Sequence, residues 1–141
     1  MSTEGGISDW TVARLKAQIS TLTNRAYAIG DPVEMERIGR NVPSAGVIVM
    51  DGVAGESMLM DGTQTILFEV EVYTSSRTFR GGKDLTEADG SYDLFDDVWD
   101  ALVGETPTGA TEPFRYLTHS RIIADNGLVL MMFRLRTMLQ K

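Results

Sequence analysis

Apolar and polar positions alternate most clearly over Thr63–Ser75. Ile66, Phe68, Val70 and Val72 fall on one side of an extended chain, and Leu67, Glu69, Glu71 and Tyr73 on the other. A period of two is the signature of a strand with unlike faces, here one core face and one charged face. Ala45–Met50 is a shorter, continuously apolar run, read as a buried strand that Asp51-Gly52 ends. Pro43 marks its start, and a second turn is expected at Asp61-Gly62. Near the end, Phe114–Ala124 and Leu128–Leu139 flank Asp125-Asn126-Gly127. Asn-Gly supplies the positive φ angles of a type I′ turn, so the two runs predict a β-hairpin. Val129, Met131, Phe133 and Leu135 share one face of its second strand; Leu128, Leu130, Met132, Arg134 and Arg136 share the other.

Helical spacing appears twice. Ser8 is a suitable N-cap with Asp9 in the first turn, and Trp10, Ala13 and Ala17, beside Leu15, Ile19 and Leu22, predict a helix ending near Thr21–Thr23. Ser91–Val103 predicts a second helix, with Leu94, Phe95, Val98 and Leu102 as its apolar stripe, Tyr92 and Trp99 beside it, and aspartates opposite. Asn24–Ser44 has no decisive pattern beyond a turn at Gly30-Asp31-Pro32. Arg77–Gly90 and Gly104–Thr111 read as loops. The order predicts a single α+β domain over residues 1–141, with a mainly antiparallel sheet of four to five strands and two helices packed on one face.

Composition narrows the functions available. The chain has 141 residues, no cysteine and one histidine, His119. Disulfides, thiol catalysis and metal sites needing Cys or two His are excluded. No apolar run approaches the roughly 20 residues of a membrane helix, and Met1–Gly6 predicts no signal peptide. The net charge of −7 argues against wrapping nucleic acid phosphates, and no sequence-specific nucleic acid binding is expected. The charge is segregated: residues 84–112 hold nine acids and no base, residues 113–141 five bases and one acid. Such blocks can meet in a head-to-tail contact between copies, and heterologous contacts close into rings when the rotation permits.

Three chemical patterns fail on inspection. His119 is beside Ser120 in a predicted strand, where neighbours point to opposite faces, so the two form no nucleophile–base dyad. A surface or interface histidine is the simpler reading. Gly81-Gly82-Lys83 lacks the phosphate loop's first glycine and final hydroxyl, since those positions are Arg77 and Asp84. Asp93, Asp97 and Asp100 share one helix side, yet carboxylates projecting to solvent need a second acidic element to converge on an ion. No enzyme activity, cofactor or metal is expected. The sheet face holding Glu69, Glu71, Arg134 and Arg136 also carries Leu67, Tyr73, Leu130 and Met132. In neighbouring strands the four charges would form cross-strand ion pairs. The mixture with large apolar groups has the character of an interface.

Several stretches together resemble the tail terminator (tail-completion) family of Mu-like bacteriophages. They are the helix Val12-Ala13-Arg14-Leu15-Lys16, the run Pro43-Ser44-Ala45-Gly46-Val47-Ile48-Val49, and Phe68-Glu69-Val70-Glu71-Val72-Tyr73 leading into the Arg77–Gly82 loop. Gly90–Leu102 and the closing Phe133-Arg134-Leu135-Arg136-Thr137 follow. The resemblance implies a homohexameric ring at the head-proximal end of the virion tail, assembled in the bacterial host cytoplasm. Such a ring ends polymerisation of the tail tube protein and joins the tube to the head–neck connector protein. On this reading Asp93, Asp96, Asp97 and Asp100 meet Arg134 and Arg136 of a neighbouring subunit, with Glu69 and Glu71 at the same seam. Arg77, Arg80 and Lys83 form a loop facing the tube or a neighbour. Alternatives are a neck or head–tail adaptor of the same virion, and a small α+β ligand-binding protein whose pocket Trp10, Tyr92, Phe95 and Trp99 would line.

Overall fold

A computed structural model describes residues 3–30, 32–40, 42–50, 53–58, 64–77, 91–123 and 128–140. Helix α1 (Thr3–Gln18) is followed by a 3₁₀ turn, Ser20–Leu22, and a short strand β1 (Ala26–Ala28). Helix α2 (Pro32–Arg40) leads into strands β2 (Ser44–Val49), β3 (Val53–Met58) and β4 (Gln64–Arg77). Helix α3 (Ser91–Leu102) and strands β5 (Arg115–Ile123) and β6 (Leu128–Gln140) complete the fold. The class is α+β, as expected. The sheet has six strands, in the order β1-β2-β4-β6-β5 with β3 also paired to β4. Among the described strands, only β1 and β2 run parallel. The two strands beyond the clearest ones are short: β1 has three residues, and β3 continues the edge that β2 starts, since Val49 pairs with Val70 and Val53 with Leu67.

The centre is the β4–β6 ladder, which runs without a bulge from Thr65 opposite Gln140 to Arg77 opposite Leu128. Its faces divide as the alternation predicts. Phe68, Val70 and Val72 lie opposite Thr137, Leu135 and Phe133, and all six are buried. Ala45 and Val47 of β2 extend the same face, because they pair with Thr74 and Val72. Leu15 of α1 and Leu94, Val98, Ala101 and Leu102 of α3 join these residues in one core. Each fully buried large apolar side chain contributes about 1.5–3 kcal/mol.

Helix α1 begins at Thr3, five residues before the expected cap at Ser8. Ile7 and Thr11 are both fully buried, and Thr11 Oγ1 donates to Ile7 O at 2.7 Å. Packing of Ile7 and Thr11 therefore outweighs the poor helix propensity of Gly5 and Gly6. The buried stripe is Ile7, Thr11 and Leu15, whereas the expected Ala13 and Ala17 are exposed. The helix ends at Gln18, where Ile19 turns extended (φ −117°, ψ 106°) to enter the 3₁₀ turn.

A third helix corrects the expectation of two. Residues 24–44, which had no decisive pattern, contain β1 and α2. Helix α2 packs on the sheet face opposite α1 and α3. On β2, Ser44, Gly46 and Ile48 alternate with the core-facing Ala45 and Val47. A Cβ on Gly46 would lie 2.2 Å from both Ile29 Cδ1 and Ile38 Cδ1, so glycine admits the Ile29 and Ile38 side chains. Ile38 is 1% exposed. Ser44 Oγ donates to Ile38 O at 2.9 Å and lies 3.1 Å from Ser75 Oγ, which also accepts from Ser44 N. These bonds close a buried polar relay between helix and sheet. Pro32 opens α2 at the first helical position, where a missing N–H costs nothing. Glu34 reaches back to accept from Gly30 N at 2.8 Å.

Candidate interface surfaces

The first surface is the sheet face that α2 leaves uncovered. Glu69 stands opposite Arg136 and Glu71 opposite Arg134, so the four expected charges do meet across neighbouring strands. Their pairing is unequal. Arg134 contacts both carboxylates, Glu71 at 3.1 Å and Glu69 at 3.9 Å. Glu71 is 6% exposed, so the charged face that the alternation predicts includes a buried carboxylate. It also accepts a hydrogen bond from Tyr73 Oη. Burial, together with that bond and the Glu71 charge, pushes the Tyr73 phenol up from 10.0 to about 12. Arg136 makes no ion pair among the described residues. It lies between Glu69 on β4 and Arg115 on β5, and Arg115 holds only an exposed contact with Glu112 at 3.4 Å. Part of the apolar character of this face belongs to α2, since a Cβ on Gly39 would sit 3.6 Å from Leu128 Cδ2.

The second surface is the outer side of α3, on the far side of the sheet. Phe95 and Trp99, one turn apart, lie with ring centres 6.0 Å from each other. Phe95 is 4.7 Å from His119 and 5.2 Å from Phe133, and Trp99 is 5.0 Å from Tyr116. Tyr116 and His119 reach the same cluster because the β5–β6 register shifts between Tyr116 and Thr118. Without that bulge, residues three apart would point to opposite faces. Tyr116 Oη and His119 Nδ1 share a 2.6 Å hydrogen bond. Ser120 pairs with Met132 on the other face, as the strand reading required. The Arg121 guanidinium lies 4.8 Å above the Tyr92 ring and 5.7 Å from Phe95.

The cluster is only partly covered: Tyr92 is 47% and Trp99 38% exposed. Phe95, Trp99, Asp96 and Asp100 line an open depression of about 410 Å³. Trp10, expected to line a pocket with them, packs instead on Phe114 at 5.9 Å. The α3 acids differ in engagement. Asp93 and Asp97 have interactions within the chain, whereas Asp96 and Asp100 have none among the described residues. Helix α3 ends where Gly104 takes a positive φ of 84°, a conformation that favours glycine. Arg14 Nε donates to Ala101 O there at 3.0 Å and Arg14 pairs with Glu105 at 3.4 Å.

The expected loop residues Arg80 and Lys83 lie outside the described residues. Of Arg77, the backbone closes the ladder opposite Leu128. The Asp125-Asn126-Gly127 turn also lies outside them, while the strands on either side pair as the hairpin required. Among the described residues, no three His, Cys, Asp or Glu side chains form a group that could hold a metal ion. No helix among them is long and apolar enough to cross a membrane.

Comparison with known proteins places the fold. No protein-family model and no curated protein matches the sequence. The fold does match a chain from a solved structure, the virion of a native gene transfer agent (GTA) particle. The match has a TM-score of 0.65 at 12% identity and covers 97% of this chain and 96% of that one. Correspondence over nearly the full length of both chains means that the two share a fold.

Proposed function

We propose that the chain is a structural protein of a phage-like virion. Within that role, it forms the ring that caps the tail tube, ends its polymerisation and joins it to the head–neck connector. The observation that carries the reading is the end-to-end fold correspondence with a chain of a virion particle. The resemblance of residues 12–16, 43–49, 68–82, 90–102 and 133–137 to tail terminators supports the finer assignment. The partners are further copies of the chain, the tube protein and the connector protein, at the head-proximal end of the tail. The role is structural and involves no catalysis. The histidine imidazole is held by Tyr116 and Phe95, and the residues around it supply packing and hydrogen bonding.

Native mass spectrometry from micromolar concentration upward tests the reading. A discrete hexamer supports the cap, since a cap must stop at a closed ring. Open-ended polymers fit a tube subunit instead. A closed dimer counts against both and favours a ligand-binding domain, for which saturable quenching of Trp99 fluorescence by a small ligand is the matching observation.

A further inference from the structure

The aromatic side of α3 is only partly covered among the described residues: Arg121 lies over Tyr92 and beside Phe95, and the Trp99 ring stays open. Tyr92 and Trp99 present ring surface to solvent, and Phe95 and Trp99 floor a depression with Asp96 and Asp100 on its rim. Aromatic faces beside carboxylates suit a guanidinium, which stacks on the rings and donates to the oxygens. The two rim acids have no partner among the described residues.

The arginines whose side chains are described differ in engagement. Arg14, Arg40, Arg115 and Arg134 pair with acids. Arg25 donates to Val42 O, and Arg37 and Arg121 lie over aromatic rings. Among arginines whose side chains are described, Arg136 alone has no such contact. It faces Arg115 directly across the β5–β6 ladder, a like-charge pairing that Glu69 on the other side of Arg136 and the exposed Glu112 contact offset only in part and that a further anion would relieve. Unpaired acids beside exposed rings and an unpaired arginine beside a second arginine are complementary. They lie on opposite sides of the sheet and cannot meet within one molecule.

We propose that the Phe95–Trp99 surface of one copy receives the Arg136–Arg115 pair of a second copy, forming the seam between subunits. The inference rests on the ring reading above and revises its residues. Arg134 is committed to Glu71 and Glu69, and Asp93 and Asp97 are engaged, so the seam uses Arg136, Arg115, Asp96 and Asp100. Because the two surfaces differ, the contact is heterologous, and each subunit keeps one of each available for the next.

The test compares the full-length wild type with three variants by native mass spectrometry and sedimentation. The first combines Asp96→Lys with Asp100→Lys, the second Arg115→Asp with Arg136→Asp, and the third carries all four changes. Circular dichroism checks that each is folded; Asp96, Asp100 and Arg115 are exposed and Arg136 is half-buried. Each two-site variant is expected to raise the concentration for half-assembly by about tenfold or more, since reversed charges repel at the seam. An equimolar mixture of the two should assemble as alternating copies, and the four-site variant should assemble alone. Two-site variants that assemble like the wild type overturn the seam and leave the ring reading intact. Wild-type filaments that the same substitutions dissolve support the seam and remove the ring reading. A wild type that stays monomeric to millimolar concentration overturns both.

Discussion

Glu71 and Arg134 face each other across the β4–β6 ladder, and the buried carboxylate takes the guanidinium at 3.1 Å. The two partners differ in exposure, with 8% of the Glu71 side chain but 37% of the Arg134 side chain accessible. Removing one is therefore unlike removing the other. Arg134→Met would leave a buried carboxylate with only Tyr73, at a cost of about 3–5 kcal/mol. Glu71→Gln would keep the shape and leave Arg134 beside Glu69, costing about 1–2 kcal/mol. Urea midpoints of the two variants check the order, and equal losses would contradict it.

Tyr73 makes the protein sensitive to alkali. Its phenol binds a proton more tightly folded, at about 12, than unfolded, at 10.0. The stability it contributes is fully present below pH 10 and is lost as pH rises towards 12. Tyr73→Phe should flatten that part of the stability curve. Urea titrations at stepped alkaline pH would show it, and an unchanged slope would assign the loss to other groups.

Gly46 is the contact point of α2 with the sheet. Gly46→Ala would drive a methyl into Ile29 and Ile38 together and should cost about 1–3 kcal/mol. Thermal melts of Gly46→Ala and of Gly46→Ala with Ile38→Val separate the causes. Partial recovery in the double variant is expected if overpacking is the reason.

Ser75 ties β4 to β2 and, through Ser44, to Ile38 O. Ser75→Ala would deprive Ser44 N of its side-chain acceptor and is expected to cost about 1–3 kcal/mol. Hydrogen exchange should locate the effect at Ser44 and in α2. Uniform loss of protection across the sheet would argue for general destabilisation.

The parts legible in the sequence are those whose pattern is local. The alternation of Ile66, Phe68, Val70 and Val72, and of Val129, Met131, Phe133 and Leu135, assigned the core face of both central strands. It also set Glu69 and Glu71 on the face shared with Arg134 and Arg136. Helix α2 was not legible because its anchoring is non-local: Ile38 is buried only because Gly46 leaves room for it. Early initiation of α1 depends in the same way on the buried position of Ile7. The candidate surfaces were half legible. Residue spacing placed the charges in the same rows, but not the choice by which Arg134 takes both acids and leaves Arg136 unpaired. Nor could spacing bring Tyr116 and His119 together, since that needs a bulge at a residue, Leu117, with nothing unusual in its sequence context.

The central ladder also governs when the domain can form during synthesis. Residue 65 meets residue 140 and residue 77 meets residue 128, with all of α3 and β5 made in between. Strand β6 pairs with both β4 and β5, so a nascent chain that stops short of residue 128 has no middle to its sheet. The ribosome must therefore release residues 128–140 before β4 finds its principal neighbour. Until then one backbone edge of β4 is unpaired, an open template for chaperones and for aggregation while α3 and β5 are being made.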